Sequence, residues 1–269
     1  MSKFPICMVV YLTDNCYLKC KHCFLCQLKD LNKHTLDYDK MIETLNELKK
    51  NNVFMIAYTG GDPLLHPHIF EILQKTTDLG MLPLLGISGL RVDENIARKI
   101  YETGVRCVQI GLNGSSKELN DLYRGLNSFD EANNSIKLLQ QSNLNVNISF
   151  CLDKDNYKDL DNMLKFCHEN NIYKVKIEFW EDLKENNGKC IGEQEKEDIY
   201  NKCFNFMKEH DLIDWIQCPK KKSNLNTIRK NALVIMANGD VKYSEMGTKL
   251  GNINEESIVD IIEGGIKDE

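Results

Sequence analysis

The sequence predicts an α/β chain folded as a partial, TIM-like (β/α)6 barrel with a small C-terminal hairpin-plus-helix extension. Six short apolar runs alternate with segments of helical periodicity, the joints between them are short, and an Asn-Gly turn lies between two apolar runs near the end. Alternation of that kind argues for parallel βα units, in which helices cover the sheet. With 269 residues the chain has room for one such domain and an appendage, since α/β barrels run past ~200 residues as single domains.

Taken in order, residues 6–12 form the first apolar run and a cysteine-rich loop follows directly. Residues 37–51 place Met41, Ile42, Leu45 and Leu48 at helical spacing, and residues 53–58 read as a short buried strand. The unit repeats as helix 67–79, strand 82–87, helix 93–103 and strand 105–112. It repeats again as helix 129–141, strand 144–152, helix 157–170 and strand 174–179. Past Trp180 the composition turns charged and polar to residue 198, with Gly188 and Gly192 marking a loop, so the barrel is expected over 1–180 and the extension over 181–269. That extension opens with an amphipathic helix over 193–208, continues through Ile216 and Cys218-Pro219, and carries the lysines Lys220-Lys221-Lys222, read as a solvated face. Its tail, 232–262, reads as strand, Asn238-Gly239-Asp240 turn, strand, Leu250-Gly251-Asn252-Ile253 and a short helix.

Composition narrows the function. The hydrophobic fraction is 42% and the net charge −6, without the strongly basic segment that tracks nucleic acid. The first residues lack a basic-then-apolar leader and no apolar run reaches the ~20 residues that span a bilayer, so a cytoplasmic protein with no membrane partner is expected. Eleven cysteines in a long chain without a leader, an odd number, read as reduced thiols rather than a disulfide framework. Cys7, Cys107, Cys151, Cys167 and Cys203 stand singly in apolar or amphipathic segments and read as small core hydrophobes.

The chemistry concentrates in residues 14–26, where Cys16, Cys20 and Cys23 stand at C-x3-C-x2-C just past the first strand. Thiolates are the preferred ligands of iron–sulfur clusters and of zinc. Three ligands would hold three corners of a [4Fe–4S] cube and leave one iron open to an exogenous amino and carboxylate group. A structural zinc knot is the competing reading, with Cys26, His22 or His34 as fourth ligand.

With His22 before its third cysteine, this stretch resembles the radical S-adenosylmethionine (radical SAM) superfamily, and further motifs extend the likeness over essentially the whole chain. Gly60-Gly61-Asp62-Pro63 is similar to that family's Gly-Gly-Glu-Pro, which holds the cofactor's amino group; two glycines allow close backbone approach, and Asp62 stands one methylene short of the Glu. On its own the tetrapeptide is equally a turn. Ser88 stands where relatives have an Asn lining the cavity, and it equally suits a turn. The segments 109–114 and 120–125 resemble an Ile-Ser-Leu-Asp-Gly and His-Asp-x-x-Arg-Gly pair, which implies that Arg124 pairs with the cofactor carboxylate and that Asn113 also contacts the cofactor; Gly111 replaces the serine that contacts the ribose. Ile148 is either an adenine wall or plain core.

The tail resembles the SPASM or "twitch" extension of radical SAM maturases, with Tyr243-Ser244 where a Pro-Cys would stand, so an auxiliary cluster is not expected there. Cys218 stands roughly where relatives place their first auxiliary cysteine. Three roles are open to it: an inert thiol, a ligand together with Cys190 and Cys203, or a catalytic thiol returning a hydrogen atom to a substrate radical.

The resemblance implies a [4Fe–4S] cluster and S-adenosylmethionine as cofactors, an electron donor such as flavodoxin or ferredoxin, and an anaerobic setting. In that chemistry one electron cleaves the cofactor to a 5′-deoxyadenosyl radical that abstracts a substrate hydrogen. The tail and the Arg124 motif point to a ribosomal peptide as substrate, to be epimerised, crosslinked or oxidised. A small molecule is the alternative, and a zinc-stabilised binding module the remote one.

Overall fold

The computed structural model describes residues 4–27, 33–180, 188–219, 232–245 and 247–265; residues 181–187 of the expected polar loop and the run Lys220-Lys221-Lys222 lie outside them. The first half runs β1 (Cys7–Thr13), α1 (Phe24–Gln27), α2 (Tyr38–Lys50), β2 (Met55–Gly60), α3 (Ile69–Asp78), β3 (Leu82–Ile87), α4 (Glu94–Glu102) and β4 (Cys107–Gly111). Then come α5 (Lys117–Arg124), α6 (Ser128–Gln141), β5 (Asn145–Leu152), α7 (Leu160–Glu169), β6 (Lys174–Phe179) and α8 (Glu193–Glu209). The chain closes with β7 (Ile216–Gln217), β8 (Ala232–Ile235), β9 (Asp240–Lys242), β10 (Lys249–Asn252) and α9 (Ile258–Gly265).

The βα units recur because the sequence marks both ends of the helices. Asp37, Asp93 and Ser116 cap the first turns of α2, α4 and α5 by accepting from the N–H groups of Lys40, Ile96 and Leu119. At the other end, α2, α3, α4, α6 and α7 each run into a left-handed residue: Asn52, Gly80, Gly104, Asn143 and Asn171, with φ between 53° and 89°. Such residues close a helix and redirect the chain, here into β2 to β6 in turn. The asparagine abundance of the sequence is thus partly turn chemistry.

The strands form one sheet in the order β10-β9-β8-β1-β2-β3-β4-β5-β6-β7, open at both edges. Strands β1 to β7 are parallel to their neighbours, as the alternation predicts. The last third of the chain adds to both edges: β7 pairs with β6, and β8 pairs in parallel with β1 through Cys7↔Ala232 to Val10↔Ile235. The β8–β9 hairpin turns at Asn238-Gly239, as read from the sequence, and α9 packs back on α2, where Ile258 N–H donates to Glu47 at 3.1 Å.

Alternate residues on each strand face the helices or the barrel interior. Val10 and Leu12 on β1, Ile56 on β2, Val108 and Ile110 on β4, and Ile148 and Phe150 on β5 are all 0% exposed and share one cluster with the helix residues Leu45, Leu48, Ile72 and Leu73. Each such buried side chain is worth about 1.5–3 kcal/mol of apolar transfer, so this outer face carries the stability. The opposite parity is smaller or more polar: Thr59, Gly86, Gln109, Gly111, Ser149 and Glu178. That leaves the interior free to hold a ligand.

Candidate functional site

A cavity of about 500 Å3 opens at the C-terminal ends of the strands, where an α/β barrel keeps its chemistry. A larger surface groove, about 1050 Å3, runs between α4 and α6, but its lining, including Arg98, Asn134 and Gln141, contains neither a thiol nor a strand end. We therefore take the strand-end cavity as the site.

Cys16, Cys20 and Cys23 all line this cavity, together with His22. Their loop is anchored at both shoulders: Asp14 N–H donates to His34 O at 2.9 Å, and Lys21 N–H to Tyr123 O at 2.9 Å. Burial pushes the Cys16 thiol up to about 11 and raises Cys20, whose thiol Arg124 pulls partly back down. Free thiols in such surroundings hold their protons; a cationic metal centre would remove them. The N–H of Leu18 already points at Cys16 Sγ from 3.4 Å, a bond that favours the thiolate. Cys26 lies outside the lining, is exposed, and has a thiol pushed up to about 11 by burial and by its contacts with Cys23. His22 is held neutral, its pKa lowered to about 3 by burial and by Arg124, and its buried Nδ1 has no hydrogen-bond partner among the described residues.

Gly60 and Gly61 end β2 against this loop. Gly61 N–H donates to Thr13 O at 2.6 Å and Asp62 N–H to Asn15 O at 2.7 Å, so two motifs far apart in sequence are zipped together by backbone alone. A Cβ at Gly60 would meet Thr13 O, one at Gly61 would meet Asn15 O, and Gly60 has φ 141°. Only glycine fits at this approach.

Asp62 sits behind the strand end. It is 0% exposed, its carboxylate accepts from Ser88 Oγ, Ser88 N–H and Leu64 N–H, and it does not line the cavity. An Asp is one methylene shorter than the Glu of the motif, and here the carboxyl stays behind the strand end, pinning β2 to β3. Burial raises its pKa. Ser88 lines the cavity and also serves the turn, accepting from Leu90 N–H at 3.1 Å.

Asn113 and Arg124, from the two motif segments, meet in the structure. Arg124 Nη1 donates to Asn113 Oδ1 at 3.1 Å, and both line the cavity. Asn113 is itself fixed, with its N–H on Asn120 Oδ1 at 2.9 Å and its Nδ2 on Cys151 O at 3.1 Å. Ile148 is 0% exposed in the core cluster and faces the helices; the register pairs Gly111 with Ser149, so Ser149 and Cys151 are the β5 residues that face inward. Cys218 also lies outside the lining. Its thiol accepts a hydrogen bond from Cys203 on α8, which lowers the pKa of Cys218 and raises that of Cys203.

Several lining groups were not read from the sequence. Tyr11, Glu178, Phe179, Trp180 and Glu245 form the side of the cavity around β1 and β6. Tyr11 donates to Glu245 Oε1 at 3.2 Å; Ser149 Oγ donates to Glu178 at 2.5 Å, and Lys176 pairs with Glu178 at 2.7 Å. Lys176 and Ser149 hold the Glu178 carboxyl below its ordinary pKa against the opposing effect of burial. Trp180 is 8% exposed, and its Nε1–H has no hydrogen-bond partner among the described residues. A carboxylate at the C-terminal end of an otherwise apolar strand was the one signal that could have flagged Glu178.

The comparisons with known proteins agree with this geometry. The family model for the radical SAM superfamily matches residues 10–167. A Fe-coproporphyrin III synthase from Methanosarcina barkeri is 27% identical over 176 residues, covering 65% of this chain and 43% of its own length. Mycofactocin maturase MftC from Mycobacterium tuberculosis is 30% identical over 158 residues, covering 58% and 40%. The chain thus spans under half the length of these curated relatives. Among solved structures, Streptococcus suis SuiB bound to precursor peptide SuiA superposes with a TM-score of 0.83 at 17% identity, covering 99% of this chain and 67% of that one.

Proposed function

The chain belongs to the radical SAM superfamily, with a [4Fe–4S] cluster and S-adenosylmethionine as its cofactors, and we propose that it uses them to modify a ribosomally made peptide. The observation that carries this reading is one strand-end cavity collecting a three-thiol loop, a guanidinium and a separate wall of aromatic and carboxylate groups. Cys16, Cys20 and Cys23 would hold three corners of the cluster, and the loop's close fit to Gly60-Gly61 sets their spacing. Arg124, a planar donor fork, would take the carboxylate of S-adenosylmethionine, with Asn113 holding the fork in place. The backbone of residues 59–61 would face its amino group, since Asp62 is committed to Ser88. When bound, the cluster and S-adenosylmethionine supply a 5′-deoxyadenosyl radical able to take a hydrogen atom from the substrate. The protein binds, orients and excludes water.

Tyr11, Glu178 and Glu245 form the wall left for the substrate. A carboxylate-lined wall suits a ligand rich in N–H donors or cationic side chains, as a peptide is, and opposes one rich in carboxylates. The names of MftC and of SuiB with its precursor peptide support the peptide reading, and the names of the porphyrin and heme synthases support a small-molecule one. The wall favours the first. The electron would come from a flavodoxin- or ferredoxin-class donor under anaerobic conditions. The test is anaerobic reconstitution with S-adenosylmethionine, reductant and either candidate precursor peptides or metabolite extracts. A peptide of altered mass or stereochemistry, with 5′-deoxyadenosine formed alongside, supports the proposal. Turnover confined to small molecules would replace it with the alternative.

A further inference from the structure

We propose that Gly111 is a positioning residue: its bare Cα is the seat on which the Arg124 guanidinium lies, and this seat aims the arginine at the cofactor's carboxylate. The inference rests on Arg124 serving that carboxylate, and it accounts for a glycine at the very end of β4, where a side chain would be expected to strengthen the strand.

The geometry at Gly111 is specific. A Cβ built there would lie 2.5 Å from Arg124 Nη1, 3.1 Å from Cζ and 3.1 Å from Nη2, so the Nη1/Nη2 end of the guanidinium occupies the space where a side chain would begin. These three atoms are the nearest that such a Cβ meets. Gly111 is not among the residues with positive φ, so its backbone would accept an L side chain without strain. The strand therefore does not need glycine; the arginine does. Both residues line the cavity.

Arg124 is correspondingly under-used by the protein. Among the described residues its guanidinium makes one hydrogen bond, Nη1 to Asn113 Oδ1 at 3.1 Å, out of five N–H donors, and it has no carboxylate partner within ion-pair distance. Asn113 cannot swing, being 1% exposed and held through its own N–H and Nδ2. Gly111 behind and Asn113 beside together define one orientation for a half-buried fork whose remaining donors are free. Any side chain at position 111 displaces the tip of the arginine and breaks the Asn113 bond, with no demand on the strand itself.

The test is a double-mutant cycle on the reconstituted protein, with S-adenosylmethionine affinity read by anaerobic equilibrium dialysis and stability by thermal unfolding. Gly111→Ala should weaken binding about tenfold, the loss expected for one misaligned charge-assisted contact, with an unfolding temperature no lower than that of the parent. In the Arg124→Ala background, Gly111→Ala should cost nothing further. Decarboxylated S-adenosylmethionine, which lacks the group in question, should bind the parent and Gly111→Ala equally. Unchanged affinity in Gly111→Ala alongside a loss in Arg124→Ala would overturn the seat and leave the arginine's role standing. Unchanged affinity in Arg124→Ala itself would instead overturn the cofactor reading. Additive losses, or equal losses for the decarboxylated analogue, would show that Gly111 acts other than through Arg124.

Discussion

On the Arg124 side of the cavity, the facing groups come from short stretches of chain: three cysteines within eight residues, Gly60-Gly61 and Ser88 at the ends of paired strands, and Asn113 eleven residues before Arg124. On the Glu178 side, Tyr11 reaches Glu245 across 234 residues and Ser149 reaches Glu178 across 29. The first side presents thiols and a cation, the second carboxylates and aromatic rings. Local motifs thus build the side proposed for the cofactors, while topology builds the side proposed for the substrate. The parallel pairing of β8 with β1 is what brings Glu245 over Tyr11.

Removing a cysteine is the sharpest way to break this division. Cys16→Ala, Cys20→Ala and Cys23→Ala should each cut iron from about four per chain to near none and abolish cofactor cleavage, since each removes one corner ligand. Cys26→Ala should keep both, because its exposed thiol lies outside the cavity. Iron and sulfide content with visible absorption checks this, and loss in Cys26→Ala would mean a four-thiolate set.

A smaller effect is expected at Arg124. Charge-assisted hydrogen bonds contribute about 1.5–3 kcal/mol each, so Arg124→Ala should weaken S-adenosylmethionine binding about 10- to 100-fold with iron content unchanged. On the other side, Glu178→Gln and Glu245→Gln should slow peptide modification about tenfold or more and leave cofactor affinity intact. If either variant instead lost affinity for S-adenosylmethionine, the two sides would not be separate in function.

The mildest effect is on stability. The Glu178 carboxyl is held below its ordinary pKa in the fold, so the unfolded chain binds its proton more readily in acid. Its contribution is present above the ordinary carboxylate range and is lost as pH falls through its lowered value. Glu178→Gln should therefore be less stable than the parent at pH 7, with the gap closing as pH drops below about 4, the range where an ordinary Glu titrates. Urea midpoints from pH 3 to 7 measure this. A gap that widened in acid would reverse the sign of the assignment.

The same comparison explains what the sequence made legible. Six strands and their helices showed in the spacing of apolar residues, and C-x3-C-x2-C with Gly-Gly at the next strand end marked the loop that the structure lays against β2. At Asp62 the motif gives a residue type and not a reach: the shorter side chain has its carboxyl on Ser88. Ile148 stayed open between an adenine wall and plain core because a one-residue step flips a strand side chain to the other face, and only the register with Gly111 says which residue looks inward. Cys218 was legible as a thiol beside a proline with Cys203 as a candidate partner, and the structure joins the two by a hydrogen bond. Strand β7 has two residues, too few for periodicity to speak.

The central claim is that the three-thiol loop holds a cluster with one iron open to S-adenosylmethionine. Electron paramagnetic resonance of the anaerobically reconstituted, reduced protein, recorded with and without S-adenosylmethionine, tests it most directly. The account predicts a [4Fe–4S]+ signal whose shape changes when S-adenosylmethionine is added, and predicts that Cys23→Ala lacks the signal. A colourless protein that takes up zinc, or a cluster signal indifferent to S-adenosylmethionine, would contradict it.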